Sequence, residues 1–143
     1  MKRKASAVWT GTLKEGKGTL TTGSKSLSDH PYSFGSRFEE QAKPGANPEE
    51  LLAAAEAGCF TMALGAELGK AGHTPEELRT EATAEMKNEE GKWTIATIHL
   101  VTRGRVPGVD QAEFQRLAEA TKQNCIVSRA LNVKFTLDAK LER

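Results

Sequence analysis

Apolar and β-branched residues come in short runs at the start of the chain, separated by polar turns. Ala7 to Leu13 (Ala-Val-Trp-Thr-Gly-Thr-Leu) reads as a strand, Lys14 to Gly18 as a turn and Thr19 to Thr22 as a second strand. Together they predict a hairpin. Gly23 to His30 is polar and turn-like. Pro31 to Phe38 predicts a third short strand or an irregular extended segment, and Gln41 to Ala46 a loop. The period then changes. Asn47-Pro48-Glu49-Glu50 is a helix start. Asn47 can accept from free N–H groups, Pro48 suits the first helical position, and the two carboxylates complement the positive end of the dipole. Leu51 to Lys70 is rich in Ala, Leu and Met, and Gly72 suits the residue just past the helix end. The helix is about 23 residues and ~35 Å long. Its apolar residues are not confined to one stripe. Leu52, Ala55, Cys59, Met62 and Ala66 follow one face, while Leu51, Ala54, Gly58 and Leu64 fall elsewhere. A helix apolar nearly all round is a buried helix. A small domain has difficulty covering it on every side, so a partner chain is expected to complete its burial.

Thr74 to Leu78 suggests a short helical turn. Thr80 to Lys87 then alternates as a strand with Ala82, Ala84 and Met86 on one face. Asn88 to Gly91 is a hairpin turn, and Trp93 to Val106 is its long partner strand, with Ile95, Thr97, His99 and Val101 on one face. Asp110 is placed to cap a second helix, with Glu113 folding back to it, and Phe114, Leu117, Ala118 and Thr121 keep helical spacing to about Lys122. Asn124 to Leu131 reads as a break and a further short helix. Val133, Phe135, Leu137, Ala139 and Leu141 alternate as a closing strand. The predicted class is α+β, a largely antiparallel sheet with a long buried central helix.

Composition narrows this little. A chain of 143 residues predicts a single domain over 1–143. Its net charge of +1, with Lys and Arg dispersed, gives no sign of nucleic acid or of an anionic membrane surface. No apolar run follows Met1-Lys2-Arg3-Lys4, so no secretory signal is read and a cytoplasmic protein is expected. The segment Leu51 to Leu68 approaches the length of a membrane span, but it carries Glu56 and Glu67 and reads as a core helix. His30, His73 and His99 are scattered without ligand spacing, so no metal is expected. Cys59 and Cys125 lie far apart and do not form a disulfide framework of the secreted kind. On the cysteine count alone, two buried, inert thiols are the favoured reading.

The motifs change that balance. Asn47-Pro48-Glu49-Glu50-Leu51, followed by Gly58-Cys59-Phe60, resembles the N-P-E-x-L…A-x-C-F signature of the OsmC/Ohr peroxidases. Cys125-Ile126-Val127-Ser128 resembles that family's C-P-V-S, with Ile126 where the family has proline. The N-terminal hairpin, Gly16 to Gly23, lacks the arginine of the Ohr branch. The segment Pro31 to Glu39, with Arg37, matches the OsmC branch. The resemblance implies an OsmC-like intertwined homodimer with sites at its interface. It also implies thiol-dependent reduction of organic hydroperoxides, and less efficiently of hydrogen peroxide, in oxidative and osmotic stress defence.

A thiol peroxidase needs a thiolate, and a free cysteine is mostly protonated at neutral pH. Cys59 sits in mid-helix, where the dipole helps little, so a cation is required, and Arg37 is the candidate. The family resemblance assigns Glu49 as the anion that Arg37 needs. Glu49 and Cys59 lie ten positions apart, about 15 Å along a helix. Glu49 is therefore expected to serve the partner subunit's Cys59, the two long helices packing antiparallel. The resemblance makes Cys125 the resolving thiol, forming a Cys59–Cys125 disulfide, and its place at a short helix start predicts partial activation. A dithiol, such as a lipoylated protein, is implied as reductant, with no bound cofactor. Tyr32, Phe38, Phe60 and Met62 could wall an apolar pocket, although each taken singly reads better as a core residue, and Trp9 and Trp93 read as packing residues. Two rivals stand beside this: another enzyme activity with a redox switch, though no Cys-x-x-Cys is present, and a non-enzymatic dimer that binds an apolar ligand.

Overall fold

The computed structural model describes residues 1–39 and 44–143. Of the loop expected over Gln41 to Ala46, positions 41–43 lie outside the described residues. The chain divides into two compact units, 1–51 and 52–143.

In the first unit, β1 (Ala5–Thr10), β2 (Lys17–Thr22) and β3 (His30–Tyr32) form an antiparallel sheet in that order. Gly18 stands opposite both Trp9 and Tyr32 in the register. A Cβ at Gly18 would run into the Tyr32 ring and come within 2.7 Å of the Trp9 ring. Glycine therefore lets the two rings meet across the strand, 5.5 Å between centroids. The segment after β3 departs from its extended expectation: Phe34–Phe38 is a helical turn, α1. The cause is a pair of serines three positions apart. Ser36 N–H donates to Ser33 Oγ at 3.1 Å and Ser33 N–H to Ser36 Oγ at 2.9 Å, a reciprocal capping box.

Helix α2 (Pro48–Lys70) begins as its sequence dictates. Glu50 N–H donates to the Asn47 side chain at 2.7 Å. At the other end Gly72 takes φ +86°, and His73 N–H reaches back to Leu68 C=O at 2.9 Å. This is the glycine-terminated stop expected there. Burial follows a single helical stripe. Ala53, Glu56, Phe60, Leu64 and Leu68 are buried, while Ala54, Gly58, Met62 and Ala66 on the far side are exposed. The helix is long and apolar enough to cross a membrane by length and composition, but its buried stripe packs in a protein core.

In the second unit, β4 (Glu77–Glu89) and β5 (Lys92–Arg105) form a hairpin. Its tip is Glu90-Gly91, both with positive φ, a turn whose twist suits two antiparallel strands. No helical turn forms over Thr74 to Leu78. Glu76 N–H instead donates to Arg105 C=O at 2.8 Å, beginning the sheet edge early. Helices α3 (Gln111–Asn124) and α4 (Ile126–Ala130) follow, and β6 (Lys134–Leu141) pairs with β5 in parallel. The parallel pair departs from an otherwise antiparallel pattern because α3 and α4 carry the chain back before β6 begins. Asp110 caps α3 by accepting from Glu113 N–H at 2.8 Å. The Glu113 carboxylate faces His73 at 3.7 Å and Arg116 at 3.8 Å, the ion-pair contacts found in place of the expected fold-back to the cap.

The expected face of β5 is corrected by a bulge. Met86 pairs with Ile95 and Glu85 with Thr97, so Ala96 has no partner. An extra residue shifts the two-residue alternation by one. The core therefore takes Ile95 and then Ile98, Leu100, Thr102 and Gly104, while His99 is exposed. Phe60, Leu64 and Leu68 of α2 and Phe114, Leu117 and Ala118 of α3 belong to the same core. A Cβ on Gly104 would sit 2.9 Å from the Phe114 ring and 3.0 Å from Leu78 Cδ2. Gly104→Ala is therefore expected to cost about 1–3 kcal/mol by overpacking, read as a lowered midpoint in urea unfolding. An unchanged midpoint would mean that the core yields there.

Candidate active site

Each unit holds one pair of the candidate residues. In the first, α1 carries Arg37 on its last turn and α2 carries Glu49 on its first. Arg37 Nε donates to Glu49 Oε1 at 2.9 Å, and Nη2 donates to the same oxygen at 2.6 Å. Nε also reaches Oε2 at 3.3 Å. Glu49 is buried, whereas the Arg37 side chain keeps 40% of its surface. A carboxylate that takes two guanidinium donors fixes the plane of the fork and leaves the remaining N–H groups free to meet another acceptor. The Phe38 ring supports the guanidinium, its centroid 4.9 Å from Cζ.

Beside Arg37 lies a cleft of about 250 Å³, walled by Trp9, Leu13, Tyr32, Phe34 and Phe38, with Ser33 and Arg37 as its polar lining. Tyr32 and Phe38 thus line a pocket as expected. Phe60 takes the core reading instead, wholly inside the second unit, and Met62 takes neither, being 81% exposed. Trp9, expected to be a packing residue, lines the cleft. Trp93 is 59% exposed near the start of β5, not packed in a core.

In the second unit, Cys59 on α2 and Cys125 at the entrance to α4 bring their sulfurs to 2.7 Å as free thiols, the Cys125 S–H donating. Cys59 is half-buried and Cys125 is buried. Helix α4 starts cleanly at Ile126 although that position lacks proline, and Arg129 N–H donates to Cys125 C=O at 3.0 Å. The helix start was expected to activate Cys125. The Val127 and Ser128 N–H groups and the Ser128 hydroxyl do pull its pKa down. However, burial first, and the Cys59 contact second, push it up further, so the net direction is upward.

Two residues beside the sulfurs were not foreseen as site residues. Glu56, one turn before Cys59, has no exposed surface. Ser128, one turn after Cys125, donates its hydroxyl to Glu56 Oε1 at 2.6 Å. Glu56 Oε2 is buried and has no partner among the described residues. Burial pushes the Glu56 carboxyl upward, and the Ser128 hydrogen bond and the neighbouring Cys125 thiol offset part of that. The sequence signal was a lone acid inside an Ala-rich helix, three positions before a cysteine. The histidines lie elsewhere: His73 near Glu113, His30 exposed, and His99 beside Thr136.

The chain resembles known proteins in both sequence and fold. The OsmC-like protein family matches residues 40–138. Peroxiredoxin OsmC of Escherichia coli K12 is 41% identical over 140 residues, covering 98% of this chain and 96% of its own length. Among solved structures, the organic hydroperoxide resistance protein OhrB of Bacillus subtilis superimposes with a TM-score of 0.74. It is 25% identical, with 96% of this chain and 98% of that one covered. An organic hydroperoxide resistance protein from Elizabethkingia anophelis gives 0.75 at 25% identity, with 99% of each chain covered. The chain belongs to the OsmC-like protein family, and it is a peroxidase.

Proposed function

We propose that the chain reduces organic hydroperoxides to alcohols by a two-cysteine cycle. The observation that carries this reading is the 2.7 Å approach of two free thiols drawn from different helices. The Cys59 thiolate attacks the terminal peroxide oxygen. A sulfur–oxygen bond forms, the oxygen–oxygen bond breaks, and the alkoxide leaves and takes a proton as the alcohol. The Cys59 sulfenic acid then condenses with Cys125 to a disulfide and water. An external dithiol, of the lipoylated-protein kind, reopens the disulfide, and no bound cofactor takes part.

Arg37, held by Glu49, serves as the cation that stabilises the thiolate and meets the charge developing on the peroxide oxygens. Its aromatic cleft suits the alkyl group of an organic hydroperoxide better than it suits hydrogen peroxide. The chain acts as a homodimer, each Arg37–Glu49 pair completing the partner's cysteine site. Two features support this. About 15 Å of helix separates Glu49 from Cys59 in one chain, and the stripe Ala54, Gly58, Met62 and Ala66 is left uncovered in the single chain.

The reading is tested by peroxide consumption with dihydrolipoamide as reductant. Cumene hydroperoxide should be consumed with a kcat/KM about tenfold or more above that for hydrogen peroxide, a margin that ~1.4 kcal/mol of apolar contact supplies. Equal rates for the two would remove the cleft from the account. No consumption of either would overturn the peroxide chemistry.

A further inference from the structure

Closing the disulfide requires a proton to move from one sulfur site to the other. The Cys125 thiol must lose its proton as its sulfur attacks Cys59, and the hydroxide displaced from Cys59 must gain one. We propose that Glu56 is the base that takes the proton from Cys125 and returns it to the departing hydroxide. The proposal rests on the two-cysteine reading above and names a further residue for its second step.

Four side chains form a box. Glu56 and Cys59 occupy one face of α2, three positions apart, and Cys125 and Ser128 are likewise three apart at the start of α4. Sulfur faces sulfur at 2.7 Å, and Ser128 Oγ faces Glu56 Oε1 at 2.6 Å. The carboxylate is thereby anchored through one oxygen beside the Cys125 thiol. Its second oxygen is buried and unpartnered. Leaving a buried acceptor unmade is costly, and an apolar side chain would fill the same space in an Ala-rich helix without that penalty. An unfilled acceptor next to a thiol that must lose a proton is what a base requires. Its polar neighbours are Ser128 and Cys125 from α4, with Cys59 on its own helix. Among the described residues no Lys, Arg or His forms an ion pair with it, so no cation holds it ionised. With burial raising both the carboxyl and the Cys125 thiol, the proton can pass between two groups whose affinities are brought closer than in water.

The step balances. The Cys125 S–H bond breaks, its proton goes to Glu56 and the sulfur–sulfur bond forms. The Cys59 sulfur–oxygen bond then breaks, and hydroxide takes the proton from Glu56 as water. Cys125 is oxidised, the sulfenic sulfur is reduced, and Glu56 ends as it began.

The test is a single turnover of the full chain with one equivalent of cumene hydroperoxide and no reductant. Samples are quenched by alkylation and read by intact mass, where the sulfenic acid adds one oxygen and the disulfide lacks two hydrogens. Glu56→Gln keeps the shape and can still accept from Ser128, so its fold should hold, checked by circular dichroism. In this variant the sulfenic acid should form within about threefold of the wild-type rate, while closure slows about 10²-fold, the usual worth of a positioned base. Its closure rate should also lose the rise with pH expected of wild type as the carboxyl ionises. Ser128→Ala provides a second measurement. It keeps the base but removes a hydrogen bond that lowers its pKa, so the rising limb should move to higher pH while the plateau is kept. The proposal is overturned if Glu56→Gln closes at the wild-type rate with the wild-type pH profile. Equal slowing of both steps overturns it too, since that marks general disruption. Wild type that forms neither sulfenic acid nor disulfide removes the two-cysteine reading itself, and this proposal with it. That result is distinct from a failure confined to the variant.

Discussion

Cys59→Ser should reduce peroxide turnover to background, a fall of about 10³-fold or more, because an alcohol at that position supplies no anion near neutral pH. Cys125→Ser should behave differently. Its Cys59 still attacks peroxide, so one equivalent is consumed at close to the wild-type rate. The cycle then stalls at the sulfenic acid, since the sulfur that stood 2.7 Å away is gone. A monothiol should release the stalled enzyme through a mixed disulfide. The check is a burst experiment with limiting reductant, counting peroxide consumed per chain. If Cys59→Ser keeps its activity, the attacking sulfur is misassigned. If Cys125→Ser turns over freely with dithiol, a second cysteine is not needed for resolution.

Arg37→Ala should lower kcat/KM for cumene hydroperoxide by about 10²–10³-fold, the range found when a donor aimed at developing charge is removed. Arg37→Lys should recover only part of this, because an ammonium restores charge but not the planar fork that Glu49 grips with both Nε and Nη2. Glu49→Gln keeps a hydrogen-bond acceptor while removing the ion pair, so it should cost less than Arg37→Ala. The loss should appear in the rate of sulfenic acid formation and leave disulfide closure unchanged, which separates this pair from Glu56. An Arg37→Ala protein with wild-type kinetics would show that Cys59 finds its cation elsewhere.

The sequence was most legible where structure is set by neighbours in the chain. Asn47, Pro48 and Gly72 fixed both ends of α2 because capping and positive φ are local chemistry. The hairpin tip at Glu90-Gly91 was readable for the same reason. The α1 turn was missed because aromatic residues suggested a strand, while its cause, two serines capping one another, lies in a pattern shorter than any hydrophobic period. The face of β5 was misread because one bulged residue, Ala96, inverts the alternation, and alternation alone cannot reveal an insertion. No helical turn formed over Thr74 to Leu78 because Glu76 N–H found the backbone carbonyl of Arg105, an acceptor that no local rule anticipates, and Glu77 and Leu78 entered β4.

The site divides along the same line. Arg37, Glu49, Cys59 and Cys125 were named through the resemblance of their motifs. Contacts between residues 37 and 49, or 59 and 125, are tertiary and leave no periodic trace. The structure pairs them as Arg37 with Glu49 and Cys59 with Cys125. Glu56 and Ser128 were given no role at the site because their significance lies in each other, 72 positions apart in the chain. A lone acid in an apolar helix looks like an interruption until its hydroxyl partner is seen.

The two-cysteine cycle is best tested by a peptide map of the wild-type protein after one equivalent of cumene hydroperoxide, without reductant and with free thiols blocked at once. A single cross-linked species should join the Cys59 peptide to the Cys125 peptide within one chain, formed in step with the loss of peroxide. Two blocked thiols and unconsumed peroxide would contradict it.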